Sequence, residues 1–276
     1  MKIYISVDME GIPGTFNWEQ EKIDRSSVRK CMMDHVEIVI DEILQSHVAK
    51  DLQEICIADS HSNGDNLFYQ ITARDERINL ISGSPRPEYM MPGFDGKFNL
   101  VFLLGYHAGT GAMKANMDHT YSNSRVQHIW INDRPMNEAL INAAYAGYHG
   151  VPVALVSGDK ALEDELKPIL PDINYVCTKE GLAKFAAKNY SLARVNRELR
   201  DAVRSSLAFT NLQVYCFDAP IRLKIEFYST AMADVVALMP GTKRINGKTI
   251  VYEHDDYAVL FNALMALITL AYATGI

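Results

Sequence analysis

The chain has no run of Lys or Arg longer than a pair, and its 27 Lys and Arg against 34 Asp and Glu give a formal net charge of -7. A surface that tracks phosphates needs a basic stripe, so nucleic acid is excluded as the expected partner. Cysteine is sparse: Cys31, Cys56, Cys177 and Cys216 form no Cys-x-x-Cys pair, which excludes a thiolate zinc knuckle and a dithiol redox motif. They read as buried thiols of a reducing compartment. There is no Gly/Ser/Pro-rich linker, internal repeat or low-complexity stretch. A charged-then-apolar leader is also missing, since the amino terminus enters a strand-like segment, Lys2 to Val7, at once; the expected location is cytoplasmic. The longest apolar stretch, Tyr257 to Ile276, approaches the ~20 residues of a membrane-spanning helix. Asn262 and Thr269 interrupt it, no basic cluster flanks it, and Glu253, Asp255 and Asp256 upstream supply a helix amino-terminal turn. It is read as a buried or interface helix, with no membrane partner.

What is present is ordinary globular material: 276 residues, 48% hydrophobic and 22% charged, enough for one large or two modest domains. Short β-branched apolar runs alternate with segments of helical period, as expected of an α/β fold with a largely parallel sheet flanked by helices. The predicted strands are Lys2 to Val7, Glu54 to Ala58, Ile78 to Ser82, Leu100 to Gly105, His128 to Asn132 and Pro152 to Ser157. Ser26 to Val48 is a predicted helix with Val36, Val39, Ile40, Ile43 and Leu44 on one face; Asn137 to His149 and Asp159 to Leu170 are others. After about Thr178 the texture becomes that of a smaller α+β unit. It comprises helix Ser191 to Ala208, strand Ile221 to Phe227, helix Thr230 to Leu238, a hairpin turning at Asn246-Gly247 and the final helix. The expected division is a catalytic α/β domain, residues 1–180, and a smaller α+β domain, residues 181–276, contributing to oligomerisation.

The chemistry-bearing side chains cluster by position on the strands. Asp8 and Glu10 leave the end of the first strand, His61 follows the second in Asp59-Ser60-His61-Ser62, and His107 follows another in Gly105-Tyr106-His107-Ala108. In an open parallel sheet the strand carboxyl ends share one edge, where ligands bind, so three strands deliver two carboxylates and two imidazoles to one place. Glu138, near the start of a helix beyond the strand His128 to Asn132, can join them. Singly, each residue has a bland reading: Asp8 as a cap, Glu10 in a solvated turn, His61 in a surface loop. Their joint occurrence at equivalent strand ends favours a common metal site. Imidazole and carboxylate without thiolate suits zinc ahead of manganese or iron, and five ligands exceed one tetrahedral ion, so two metals sharing a carboxylate are expected. His35, His47, His149 and His254 lie away from that edge and read as structural or surface residues. His119, in a glycine-containing loop, is a candidate unliganded general acid/base.

Ser6-x-Asp8-x-Glu10-Gly11 resembles the signature of the D-aminopeptidase family of dinuclear zinc metallopeptidases, whose bacterial member is encoded in a dipeptide-transport operon. Asp59-Ser60-His61-Ser62, Ile81-Ser82-Gly83, Leu104-Gly105-Tyr106-His107-Ala108, Ile131-Asn132-Asp133-Arg134-Pro135 and Leu238-Met239-Pro240-Gly241-Thr242 match in the same order, so the resemblance spans nearly the whole chain. The resemblance implies two zinc ions per subunit, held by Asp8, Glu10, His61, His107 and Glu138, with His119 as the catalytic histidine. It also implies ring-stacked homo-oligomers, decamers in the best-known case. Gly14 to Asp24 and Gly109 to Asn116 are least similar to the family, and such loops shape substrate pockets, so a preference for D-residues is its least transferable property. The expected function is zinc-dependent release of amino-terminal residues, including D-amino acids, from short peptides or amino acid amides. An amidase or phosphoesterase with the same ligands, and a non-catalytic peptide- or metal-binding protein, are the alternatives.

Overall fold

The structure, a computed structural model, describes residues 1–208 and 212–275. The amino-terminal part runs β1 (Lys2–Val7), α1 (Gln20–Ile23), α2 (Arg25–Gln45), β2 (Glu54–Asp59), β3 (Ile78–Ile81) and β4 (Leu100–Tyr106). Next come β5 (Val126–Ile131), β6 (Arg134–Pro135), α3 (Glu138–Tyr148), β7 (Val153–Asp159), α4 (Lys160–Leu166), β8 (Asn174–Ala183) and β9 (Ala186–Asn189). The chain ends with α5 (Leu192–Ala208), β10 (Ile221–Phe227), α6 (Thr230–Val236), β11 (Lys243–Arg244), β12 (Thr249–His254) and α7 (Tyr257–Tyr272).

Among the described residues the strands form a seven-stranded sheet, β3-β2-β1-β4-β7-β8-β9, and a five-stranded sheet, β11-β12-β10-β5-β6. The first is parallel except at β9, and the second is antiparallel. This is the expected α/β architecture with a smaller second layer. Both sheets draw on strands from either side of residue 180, since β9 closes the first while β5 and β6 enter the second.

Continuous apolar runs such as Ile3, Ile5, Val101, Phe102 and Leu103 are fully buried because helices cover both faces of the parallel sheet. The predicted face of α2, including Val36, Val39, Ile40 and Ile43, joins one core, and Leu140, Tyr145, Phe261 and Leu264 of α3 and α7 join the other. Full burial of each such side chain contributes about 1.5–3 kcal/mol relative to exposure. The apolar terminal stretch is a core helix, with Tyr257, Leu260, Phe261, Leu264 and Leu267 buried and Asp256 accepting from Val259 N at its start. No helix among the described residues is long and apolar enough to cross a membrane. Residue 276, the end of that predicted stretch, lies outside the described residues.

The elements not predicted include the β8–β9 hairpin, Asn174 to Asn189, the short helix α1 inside the segment Gly14 to Asp24, and the two-residue β6. The hairpin is concealed in sequence because Lys179, fully buried, breaks the apolar run; its ammonium donates to the carbonyls of Glu10 and Thr15 and to Thr15 Oγ1.

Candidate metal centre

The strand order reverses beside β1: β2 and β3 lie on one side of it, β4 and β7 on the other. In doubly wound sheets the crevice for ligands opens at such a switch, outside the strand carboxyl ends. Asp8 leaves β1 there and His107 leaves β4. Their backbones are drawn together by Asp8 N donating to Leu104 O at 2.8 Å and Gly11 N to Gly105 O at 2.7 Å. Both glycines are required: a Cβ on Gly11 would lie 2.0 Å from Tyr106 O, and one on Gly105, at φ +75°, 2.3 Å from Asp8 O. His61 is carried in by the turn after β2, which Asp59 fixes by accepting from Asn66 N, Asn66 Nδ2 and Leu67 N. Glu138 opens α3, whose N-cap Asn137 accepts from Leu140 N at 2.8 Å; a carboxylate is favourable in that first turn. His119 arrives on the loop between β4 and β5.

All six side chains named from the sequence meet at this point. His61 Nδ1 lies 3.2 Å from Asp8 Oδ1 and 3.2 Å from Glu10 Oε2, while His107 Nε2 lies 3.5 Å from Asp8 Oδ2 and 3.5 Å from Glu138 Oε1. His119 Nε2 is 3.8 Å from Glu10 Oε1 and 3.7 Å from Glu138 Oε1, and its ring stacks on His107 at 4.2 Å. The donor atoms fall into three groups: Asp8, Glu10 and His61; Asp8, His107 and Glu138; and Glu10, His107 and His119.

Each imidazole has its other nitrogen occupied outside the cluster. His107 Nδ1 faces Ala108 O at 3.0 Å, His119 Nδ1 faces Met117 O at 2.9 Å, and His61 Nε2 faces Glu21 Oε1 at 2.6 Å. An N–H donated to each of these acceptors leaves a lone pair pointing inward on all three rings, as a metal ligand or a general base requires.

The cluster fits a divalent metal on three counts. Asp8, Glu10 and Glu138 are buried together, and among the described residues no Lys or Arg pairs with them. Asp8 Oδ2, Glu10 Oε2 and His107 Nε2 are buried without a hydrogen-bond partner among the described residues, a costly arrangement unless a cation completes it. Burial, and after it the charge of Glu10, pushes the Asp8 carboxyl up to about 7. Third, the donor separations of 3.2 to 3.5 Å match the edge of about 3.3 Å that a tetrahedron with metal–ligand bonds of about 2.0–2.1 Å would have.

Sequence reasoning missed the surroundings of the cluster. Trp18 Nε1 donates to Glu10 Oε1 at 2.8 Å, and Glu21 holds His61; both come from the segment least similar to the family. A lone Trp in a polar loop was the one available signal. Beneath the site, Ser6 Oγ joins Ser60 Oγ, Tyr106 Oη and Met90 O, which accounts for the serine of the opening motif. Of the other histidines, His35 is buried against Ser157 Oγ at 2.9 Å, and burial, then Lys179, pushes it down to about 4.

The cluster opens into a cavity of about 330 Å³ lined also by Trp18, Glu21, Lys22, Tyr89, Tyr121 and Tyr272. The family profile described as D-aminopeptidase matches residues 1–266. The chain is similar to the D-aminopeptidase of Bacillus subtilis (strain 168), 33% identical over 286 aligned positions that cover 100% of this chain and 99% of the relative. It is also similar to a solved structure, the Zn-dependent D-aminopeptidase DppA from Bacillus subtilis, described as a self-compartmentalizing protease. The TM-score is 0.90 at 30% identity, covering 99% of this chain and 98% of the other.

Proposed function

As this chain belongs to the D-aminopeptidase family and is a zinc-dependent aminopeptidase, we propose that Asp8, Glu10, His61, His107 and Glu138 hold two zinc ions and that His119 is its acid–base residue. The observation that carries the pair of ions is the position of Asp8, whose Oδ1 faces His61 and whose Oδ2 faces His107, in two donor groups that share no other residue. When bound, zinc supplies Lewis-acid polarisation of the scissile carbonyl and acidification of the attacking water.

The rest of the work falls to side chains. His119 is pushed down by burial and by the neighbouring His107, so its Nε2 is free to take a proton from the water and return it to the leaving amine. The stacking of its ring on His107 and the Met117 carbonyl at Nδ1 hold it in register for both transfers. Trp18 steadies the Glu10 carboxylate, and Glu21 fixes the ring of His61. The cavity has Lys22 as its single Lys or Arg against four carboxylates, Asp8, Glu10, Glu21 and Glu138. Three of these, Asp8, Glu10 and Glu138, would be neutralised by the zinc ions, so the expected substrate, an amino-terminal residue of a short peptide or amino acid amide, is supported by the D-aminopeptidase relatives and not by the charge of the cavity.

The deciding experiment is hydrolysis of matched D- and L-aminoacyl peptides and amides by the zinc-loaded protein, with phosphate esters alongside and a chelator control. Release of amino-terminal residues that stops on chelation, with two zinc ions per chain by metal analysis, is the expected result. Turnover of phosphate esters alone would refute the substrate class, and one zinc per chain would refute the shared Asp8.

Homo-oligomerisation, as a decamer with the part around residues 181–276 contributing contacts, belongs to the same proposal. It is supported by the self-compartmentalizing relative and by exposed apolar side chains on and beside α6 and α7, such as Leu238 at 78% and Val259 at 40% exposure. Sedimentation analysis reads the subunit number directly. A cytoplasmic location is the last part, supported by four free cysteines.

A further inference from the structure

A second cavity, of about 220 Å³, lies next to the one that holds the cluster and has three lining residues, Tyr89, Tyr121 and Tyr272, in common with it. Its remaining surface is mainly apolar, supplied by Pro85 and by Met265 and Ile268 of α7. Most of the polar side chains around it are committed elsewhere. Tyr121 Oη donates to Asn142 Oδ1 at 3.0 Å, and Tyr272 Oη lies 2.7 Å from Ser122 Oγ, so both hydroxyls already have partners. The one charged lining residue, Arg86, directs four N–H donors to the carbonyls of Gly83, Tyr89, Ser60 and Ser62 at 2.7 to 3.0 Å. A guanidinium has five donors, so Arg86 is occupied in tying the His61 turn to the loop carrying Tyr89 and offers little to a ligand.

We propose that this cavity is the subsite for the side chain of the substrate's amino-terminal residue and that it selects uncharged, apolar side chains; the inference rests on the aminopeptidase reading above. The direction of the peptide decides which residue it takes. From the scissile bond the leaving portion continues toward the carboxyl terminus for any length and needs an open path, whereas the amino-terminal residue ends at the metal centre and its side chain can be enclosed. The cavity that holds the metal cluster receives the amino group, and the tyrosine-walled one receives the side chain of the same residue. A charged side chain would be stripped of water there without a free partner, while an aliphatic or aromatic one gains by leaving water.

The test uses aminoacyl amides, which carry one side chain only, in D and L series with the zinc-loaded protein. Leucine and phenylalanine amides are expected to exceed alanine amide in kcat/KM by about tenfold or more, and glutamate and lysine amides to fall below leucine amide by at least as much. Two variants act from within the cavity. Thr269→Trp, at an exposed rim position on α7, is expected to lower kcat/KM for leucine and phenylalanine amides about tenfold relative to alanine amide. Met265→Glu is expected to raise lysine amide over leucine amide by about tenfold. A readout apart from turnover is calorimetric binding of leucinol and alaninol, which have no carbonyl to attack: the wild type is expected to prefer leucinol, and Thr269→Trp to lose that preference. Equal turnover of alanine and leucine amides, or selectivity untouched by both variants, overturns the subsite while leaving the aminopeptidase standing. A wild-type chain that turns over no amide removes that reading, and the subsite with it.

Discussion

Asp8, Glu10, His107 and Glu138 are between 0% and 3% exposed, on backbone pinned to two strands and a capped helix, whereas Glu21, Lys22 and Tyr272 at the mouth of the same cavity are 27%, 73% and 50% exposed. The inner group tolerates no slack, since glycines at 11 and 105 bring its loops closer than any side chain permits. The outer group sits on a four-residue helix and on the last turn of α7. Chemistry common to a family belongs on the rigid part, and the choice of substrate on the part that can change without moving the ligands.

The comparison breaks most visibly on the inner side. Asp8→Asn removes a carboxylate that both donor groups use, so both zinc ions and at least about a thousandfold in kcat/KM are expected to be lost, read by metal analysis and steady-state kinetics. Retention of one tightly held ion would show that Asp8 serves a single site. Next in size, His119→Ala is expected to lower kcat by about a hundredfold or more with zinc content unchanged. A fall in zinc would instead make His119 a ligand, in the donor group it forms with Glu10 and His107.

Glu21 is where the two groups meet, an outer residue gripping an inner one. Glu21→Gln keeps the shape and weakens the grip on His61, and zinc affinity is expected to fall about 10- to 100-fold, measured by competition with a chromophoric chelator. Lys22→Ala, the neighbouring exposed residue, is the control and should leave affinity unchanged. The smallest effect comes from beneath the inner group, where His35 contacts Ser157 Oγ, which also accepts from Gly105 N at 3.0 Å. With its folded pKa lowered from 6.5 to about 4, His35 binds fewer protons folded than unfolded between those values. Its contribution to stability is therefore present near neutrality and lost as the pH falls from 6.5 toward 4, by about 2 kcal/mol between pH 7 and pH 5. Urea denaturation at the two pH values measures it, and His35→Gln should flatten the difference; an unaltered slope would assign the acid sensitivity elsewhere.

The clustering of the proposed ligands was legible because most of them sit at positions that the sequence marks locally. Asp8, His61 and His107 follow apolar runs, and Glu138 follows a capping Asn; once the strands are parallel, their ends must share an edge. The strands themselves were legible wherever the run was uninterrupted, as at Lys2–Val7 and Leu100–Tyr106. Where a buried charge interrupts the run, as Lys179 does in β8, composition misleads, because that ammonium is satisfied by the carbonyls of Glu10 and Thr15, more than 160 positions away. The same distance problem hid Glu21, whose partner is His61, and the cavity beyond Tyr89 and Tyr121, whose far wall comes from α7 near the carboxyl end, whereas Trp18 is near its partner Glu10 in sequence but lies in a loop with no period to mark the contact.

By itself, the sequence determined an α/β chain with a cluster of imidazoles and carboxylates at one sheet edge, since alternation, caps and residue type are local properties that one stretch of chain carries alone. Only the tertiary structure decided that Asp8 faces two donor groups, that each imidazole of the cluster has its second nitrogen held from outside, and that a tyrosine-walled cavity lies next to the one that holds the cluster. Those are relations between segments far apart in the chain. They exist only after packing has brought the segments within a few ångströms, which no spacing along one segment encodes.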